Sequence, residues 1–320
     1  MQPVLDLHDH EPDVQIMSDD VLRGLSEQPK RLPSQYLYDD RGAILFEDIC
    51  KTDDYYLTRA ETAILQKNLA QIADRIGPRA LVLEPGSGSG IKTKLLLEAL
   101  EAPVGYIPID VAREQLENFA AATAQEFPDL EVLPVCADFT SDYKLPESRG
   151  DVRTRVAFFP GSTIGNFHTD AAIDVLRHVG TLCEEDGSVI IGVDLKKDAE
   201  TIGRAYDDSA GVSREFALNY LHRLNRELDA DFAVDQFDYE APFNEARSRV
   251  EMALVSKCEQ TVSIDGKDVE FAAMERCLTE FSYKYDLDEF AALAGAAGLV
   301  STGVWTDSDE KFSVHHLQRA

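Results

Sequence analysis

Between Leu81 and Asp194 short apolar runs alternate with amphipathic stretches of helical period: LVLE, a helix over 91–101, VGYIPID, a helix over 111–126, EVLPVC, VAFFPG, a helix over 169–182, and SVIIGVD. Apolar runs this short, separated by helices, predict buried strands joined by right-handed crossovers, and hence a parallel, doubly wound sheet. The alternation stops after Asp194. Residues 196 to about 248 are polar and helix-rich (REFALNYLHRLNREL), after which RVEMALVSKCEQTVSI and VEFAAMERCLTEFSYKY predict antiparallel strands turning at Asp265-Gly266. A helix over 286–298 and the strand pair LVSTGVW and FSVHHLQ return to the α/β layer. The chain therefore reads as an α/β protein whose main domain is 61–195 and 286–320, with an α+β lobe inserted over 196–285. Ligands of such sheets bind outside the carboxyl ends of the strands, the edge that the inserted lobe is expected to roof.

Ahead of the sheet, residues 1–18 are acidic with little apolar periodicity and are expected to be disordered. Residues 19–60 are read as a segment contributing to the inserted lobe, followed by a helix from Thr58 to about Ile76. Tyr36, Tyr38, Phe46, Tyr55 and Tyr56 crowd this segment. They serve either as core or as a pocket wall with hydroxyls turned inward, as amphipathic rings do in ligand sites.

The stretch Leu81–Lys92, LVLEPGSGSGIK, has an apolar run ending in Glu84, then Gly86, Gly88 and Gly90, then an amphipathic helix. Glycines let the backbone turn sharply and approach a ligand where a Cβ would collide, and the helix aims free N–H groups there. A purely structural turn is the alternative. In the dinucleotide fingerprint the third glycine falls three residues after the second, a place held here by Ile91. The pattern acid-x-Gly-x-Gly-x-Gly instead resembles motif I of S-adenosylmethionine-dependent methyltransferases. Asp110 ends the next strand, 22 residues after Gly88, where a carboxylate can accept from both hydroxyls of a ribose. Asp138 and Phe139, in CADF past the third strand, suit an adenine amino group and its ring face, although Phe139 also reads as core. Together these positions favour S-adenosylmethionine over a nicotinamide cofactor. Methyl transfer from an activated sulfonium needs mainly the positioning of an acceptor, which agrees with the lack of an obvious metal set or nucleophile.

Composition narrows the partners. With 59 acidic and 31 basic residues, the net charge of −28 opposes nucleic acids and suits cationic or zwitterionic small molecules, though solubility alone also accounts for it. No apolar run is long enough to span a membrane and the start is acidic, so a cytoplasmic protein is expected; a monomer is expected as well. The five cysteines, Cys50, Cys136, Cys183, Cys258 and Cys277, form no metal-binding pair. His315 and His316 are adjacent in a strand, face opposite sides and read as structural.

GSTIGNF (Gly161–Phe167), read with EPGSGSGIKT, YLYDDRGAILFEDI, Tyr55-Tyr56, RAYDDSAGV and LTEFSYK, makes the chain resemble the ergothioneine-pathway L-histidine Nα-methyltransferases from about Tyr36 to its end. The resemblance implies a seven-stranded Rossmann-like methyltransferase sheet with an inserted substrate-binding domain. The activity it implies is trimethylation of the α-amine of L-histidine to its betaine, hercynine, with S-adenosylmethionine as donor and no metal. By the same resemblance Glu84, Gly86, Gly88, Lys92, Asp110, Asp138 and Phe139 face the cofactor. Tyr55, Gly161, Asn166 and Tyr206 hold the α-amine and carboxylate, Tyr55 and Asn166 as catalytic groups. Glu280 and Ser282 bind the imidazole, and Tyr38, Phe46 and Met252 line the pocket.

The chemistry of these residue types is consistent. An amine must be unprotonated to attack, and Asn166 orients it without fixing a positive charge on it. Tyr206 binds a carboxylate neutrally, and a carboxylate such as Glu280 accepts from an imidazole N–H. A solvated strand acid is the plainer account of Glu280, and a solvated lysine that of Lys92, whose cation near a helix N-terminus opposes the dipole. Gly90-Ile91 departs from the family, where Ser or Glu is frequent. Three rivals remain at this stage: an Nα-methyltransferase of another amino acid such as tryptophan, a nicotinamide-dependent dehydrogenase, and a catalytically silent S-adenosylmethionine-binding regulator.

Overall fold

The computed structural model describes residues 7–10, 14–88 and 90–320. Chain contacts divide the protein into two compact units, one containing Leu57–Lys196 and Tyr283–Ala320 with residues 7–10, the other containing residues 14–56 and 197–282. The seams at 56/57, 196/197 and 282/283 compare with 60/61, 195/196 and 285/286 expected from the sequence pattern. The first of them lies where a long helix, Tyr56–Ile76, begins.

The first unit is built on a sheet with the strand order His8–Asp9, Val135–Cys136, Gly105–Asp110, Ala80–Pro85, Thr154–Phe159, Ser188–Asp194, Phe312–Arg319, Leu299–Thr306. Pairing is parallel through Ser188–Asp194, and the last two strands form an antiparallel hairpin on that edge. The run EVLPVC, expected as one strand, is two, Glu131–Val132 and Val135–Cys136, both paired with Gly105–Asp110. Pro134 lies between them and has no N–H for the ladder. Counting the pair as one interrupted strand, and setting aside two-residue His8–Asp9, leaves the expected seven. All six residues of the central strand Ala80–Pro85 are buried. From that strand the chain winds outward to Val135–Cys136 and then crosses back to Thr154–Phe159 on the other side. The strand order reverses there, and the loops after Pro85 and after Phe159 leave adjacent carboxyl ends in opposite directions, which opens a ligand crevice in folds of this kind.

The second unit has a five-stranded sheet ordered Phe243–Asn244, Arg249–Ser256, Arg276–Tyr283, Lys30–Arg31, with Phe237–Glu240 also on Arg249–Ser256. A separate hairpin, Gln260–Ile264 with Lys267–Phe271, turns through Asp265 and Gly266 at φ 49° and 71°, the left-handed pair that a tight two-residue turn needs. Helices Val14–Leu25, Asp40–Lys51, Ala199–Tyr206 and Val212–Glu227 belong to it. Residues 237–244, expected within a helix-rich stretch, are mostly strand because alternating Phe237, Tyr239 and their polar neighbours pair with Arg249–Ser256.

The expectation of disorder over 1–18 falls partly on residues 1–6 and 11–13, outside the described residues. Elsewhere it is corrected. His8–Asp9 pairs in parallel with Val135–Cys136, and a helix runs Val14–Leu25. Met17, Val21 and Leu25, four residues apart, share one helix face and are buried. No helix among the described residues is long and apolar enough to cross a membrane.

Candidate active site

The loop after Ala80–Pro85 is shaped by its glycines. Gly86, Gly88 and Gly90 have φ of 69°, 49° and 64°. The backbone N–H groups of Gly86 and Ser87 both donate to the Ile109 carbonyl, hooking the loop over the neighbouring strand. A Cβ on Gly90 would sit 1.8 Å from the ring of Phe119, so this glycine, the departure noted above, lets that ring close under the helix Ile91–Ala99. Above Gly88 nothing lies within 4 Å of a built Cβ, and the nearest atom to one on Gly86 is Cε1 of Phe139 at 3.7 Å. The loop thus presents open space bordered by an aromatic edge. Gly88 N–H donates to Asp110 Oδ2 and Ala112 N–H to Oδ1, each at 3.0 Å, so the carboxylate at the end of Gly105–Asp110 is fixed in orientation. Burial raises its pKa while these backbone donors pull it back down. Asp138 accepts from the N–H and hydroxyl of Thr140 at 2.8 and 2.7 Å, which locks the turn that places Phe139 against Phe159 and Phe167. A bare glycine loop, an oriented carboxylate and a ring at its edge fit the adenosyl group of S-adenosylmethionine.

Two of the expected cofactor residues make bonds within the protein. Glu84 is fully buried, and its oxygens accept from Thr93 Oγ1 at 2.6 Å and from the Tyr106 hydroxyl. Its carboxyl therefore ties strand, helix and neighbouring strand together beneath the loop and does not face a ligand. Burial pushes its pKa up to about 8. Lys92, on the first turn of Ile91–Ala99, gives its ammonium to Glu61 Oε2 at 2.5 Å.

GSTIGNF forms the second loop of the crevice. Gly161 and Ser162 are left-handed, at φ 84° and 60°, and a short turn, Thr163–Asn166, follows. Ser162 Oγ accepts from the Asp194 N–H at 2.9 Å, and a Cβ on Gly165 would meet the Tyr283 carbonyl at 2.8 Å, so both residues are dictated by close packing. Gly161 N–H donates to Glu61 at 2.9 Å, which leaves its carbonyl as the polar group it can offer an amino acid. Asn166 is half-buried at the end of the turn.

In the second unit the remaining expected residues form one cluster. Tyr38 contacts Phe46 and Phe216 edge-on, Phe46 contacts Tyr55, and Tyr55 contacts Tyr206, with ring centroids 5.3–6.3 Å apart. Glu280 and Ser282 are two apart on Arg276–Tyr283, hence on one face, and both are buried. The Tyr38 hydroxyl donates to Glu280 Oε1 at 3.3 Å, and the hydroxyls of Tyr206 and Ser282 are 2.7 Å apart. Burial raises the Glu280 carboxyl to about 8. The solvated-acid account of Glu280 is therefore wrong. Met252 packs in an apolar group with Ile202, Ala241 and Val250, against which Tyr206 rests. Tyr239, not anticipated, donates its hydroxyl to the Tyr206 carbonyl at 2.9 Å.

A family model described as histidine-specific, S-adenosylmethionine-dependent methyltransferase matches residues 17–319. The chain belongs to that family. The histidine N-alpha-methyltransferase of Mycolicibacterium smegmatis is 38% identical over 301 residues, covering 92% of each chain. Ergothioneine biosynthesis protein 1 of Neurospora crassa is 30% identical over 305 residues, 91% of this chain but 33% of that longer protein. The L-tryptophan methyltransferase of Psilocybe serbica is 27% identical over 330 residues, covering 93% and 91%.

As a member of these S-adenosylmethionine-dependent methyltransferases, the chain uses several family motifs for architecture. In YLYDDRGAILFEDI, Asp39 caps the helix Asp40–Lys51 through Gly42 N–H and also accepts from Asn219 and Arg226. Gly42 is required because a Cβ would lie 1.9 Å from the Leu37 carbonyl. In RAYDDSAGV, Asp208 accepts from the N–H groups of Val212 and Ser213 at the start of Val212–Glu227, and Ser209 donates to Asp54. Glu61 and Phe216 were not anticipated. Phe216 had no signal beyond apolar helical spacing. Glu61 had an indirect one: Gly192 in the strand SVIIGVD, since a glycine inside a strand marks a close approach.

Proposed function

We propose that this methyltransferase trimethylates the α-amino group of L-histidine, giving hercynine, as a step of ergothioneine biosynthesis. The observation that carries the reading is Glu280 with Ser282, a buried acid–hydroxyl pair on one strand face within an aromatic cluster. A buried carboxyl paired with a hydroxyl on one face suits a ring bearing both a donor and an acceptor nitrogen better than an apolar side chain. With its pKa near 8, Glu280 holds a proton at neutral pH. It can donate it to the unprotonated ring nitrogen or, once ionised, accept from the ring N–H. Tyr206 supplies a neutral hydroxyl for the carboxylate of the amino acid, and Asn166 a neutral amide that orients an uncharged amine.

S-adenosylmethionine, when bound, supplies a methyl group already activated on a sulfonium, so no metal is required for the transfer. The residues described would hold it as follows: the loop at Gly86 and Gly88 would admit its backbone-close approach, Asp110 would accept from the ribose hydroxyls, and Phe139 would border the adenine. Lys92 offers a cation for the donor's carboxylate. Incubation with L-histidine and the donor should yield a product carrying three added methyl groups on the α-nitrogen, read by mass spectrometry. Failure to gain any methyl group would overturn the assignment. The similarity to an L-tryptophan methyltransferase keeps an indole substrate as the second reading. An indole has no basic nitrogen to meet Glu280, so histidine is favoured, and paired rate measurements on the two amino acids separate them.

A further inference from the structure

Glu61 lies on the helix Tyr56–Ile76 with its carboxylate only 1% exposed. It accepts from the Lys92 ammonium at 2.5 Å and from the Gly161 N–H at 2.9 Å. One carboxylate therefore touches a residue assigned to the methyl donor and a residue assigned to the amino acid. Its seat is built by a missing side chain. A Cβ on Gly192, in the strand Ser188–Asp194, would fall 2.0 Å from Glu61 Oε1, so the glycine is what admits the carboxylate. A buried carboxylate without partners would be strongly destabilising, and neither a core-packing need nor helix propensity calls for an acid here.

Resting on the reading above, we propose that Glu61 is a positioning residue that couples the donor corner to the loop holding the amino acid. An anionic carboxylate shared between an ammonium and an N–H is a weaker acceptor to each than to either alone. When the donor's own carboxylate draws on Lys92, the charge of Glu61 falls more fully on Gly161 N–H, stiffening the left-handed Gly161–Ser162 pair. The donor thereby prepares the loop for the amino acid. By linkage the effect is reciprocal.

The test uses the full chain and S-adenosylhomocysteine, the spent donor, alone. Amide hydrogen exchange at Gly161 should slow by ~5-fold or more when it binds, a coupling of ordinary size. In Glu61→Gln and in Lys92→Met this slowing should disappear, and the double variant should add nothing further. Gly192→Ala, which displaces the carboxylate without changing its charge, should behave like Glu61→Gln and serves if the latter folds poorly. A merely structural Glu61 would raise Gly161 exchange equally with and without the ligand, and that result, or slowing retained in Glu61→Gln, overturns the proposal. Histidine affinity measured with and without S-adenosylhomocysteine should likewise differ ~5-fold in wild type and lose that difference in Glu61→Gln. A wild type that binds no histidine would sink the histidine assignment instead, while the exchange measurement still decides on Glu61.

Discussion

Glu84 in the first unit and Glu280 in the second are both buried carboxyls that burial raises from 4.5 to about 8, yet they differ in how they are bonded. Glu84 accepts short hydrogen bonds from Thr93 and Tyr106, both in the same unit. Glu280 accepts from the Tyr38 hydroxyl at 3.3 Å, and Tyr38 itself packs edge-on against Phe46. A buried acid saturated by tight internal donors is a tie within the fold. One that shares a strand face with a second polar group, Ser282, inside a cluster of rings is placed as a polar pair that reads a ligand would be. Equal titration shifts thus arise in different surroundings, one a set of ties between strand and helix, the other an acid–hydroxyl pair among rings.

The largest effect that sharpens this contrast is expected at Asp110, which represents the donor half. On the proposed reading, Asp110→Ala would remove two charge-assisted ribose bonds, each about 1.5–3 kcal/mol, and it also frees Gly88 N–H. Calorimetry should show S-adenosylhomocysteine affinity falling by ~100-fold or more, with the preference for histidine over tryptophan intact; wild-type affinity would misplace the cofactor corner. Next comes Glu280→Ala. Loss of about 1.5–3 kcal/mol should raise the histidine KM by ~10- to 150-fold, leave S-adenosylhomocysteine affinity constant and shift kcat/KM toward tryptophan. An unchanged ratio between the two amino acids would show that Glu280 does not read the ring.

Ser282→Ala should do less, because a neutral hydrogen bond contributes about 0.5–1.5 kcal/mol; the expected rise in histidine KM is ~2- to 10-fold. Glu84→Gln should have the smallest effect on catalysis, within ~2-fold in KM, since Gln keeps a neutral partner for Thr93 and Tyr106. Its signature is pH dependence. Between 4.5 and about 8 the folded chain holds a proton on Glu84 that the unfolded chain has released, so wild-type stability falls as pH rises through that window. The variant should lose this contribution and gain on the wild type in denaturant titrations from pH 5 to 8. A histidine KM raised as far as in Glu280→Ala would erase the distinction drawn here.

His315 and His316 illustrate a reading that needed only local geometry. Adjacent strand residues face opposite sides, and His315 lies tilted against Phe290, ring centroids 4.6 Å apart, while His316 meets Thr302. Burial lowers both to about 4, so they are neutral above that value.

The order of apolar and polar residues determined the doubly wound sheet, since a short buried strand and an amphipathic helix are each recognisable within their own length. The same holds for the bare loop at Gly86–Gly90, the carboxylate that ends the second strand, and the shared face of Glu280 and Ser282, all of which follow from local spacing. Only the tertiary structure decided that Glu84 points inward, that Phe216 joins Tyr38 and Phe46, and that Gly192 makes room for Glu61. Glu61 and Gly161 lie 100 residues apart, Tyr38 and Glu280 242, and no local period encodes such a meeting. It is created when buried polar groups must find partners in a close-packed interior, and only the folded chain brings those partners within reach.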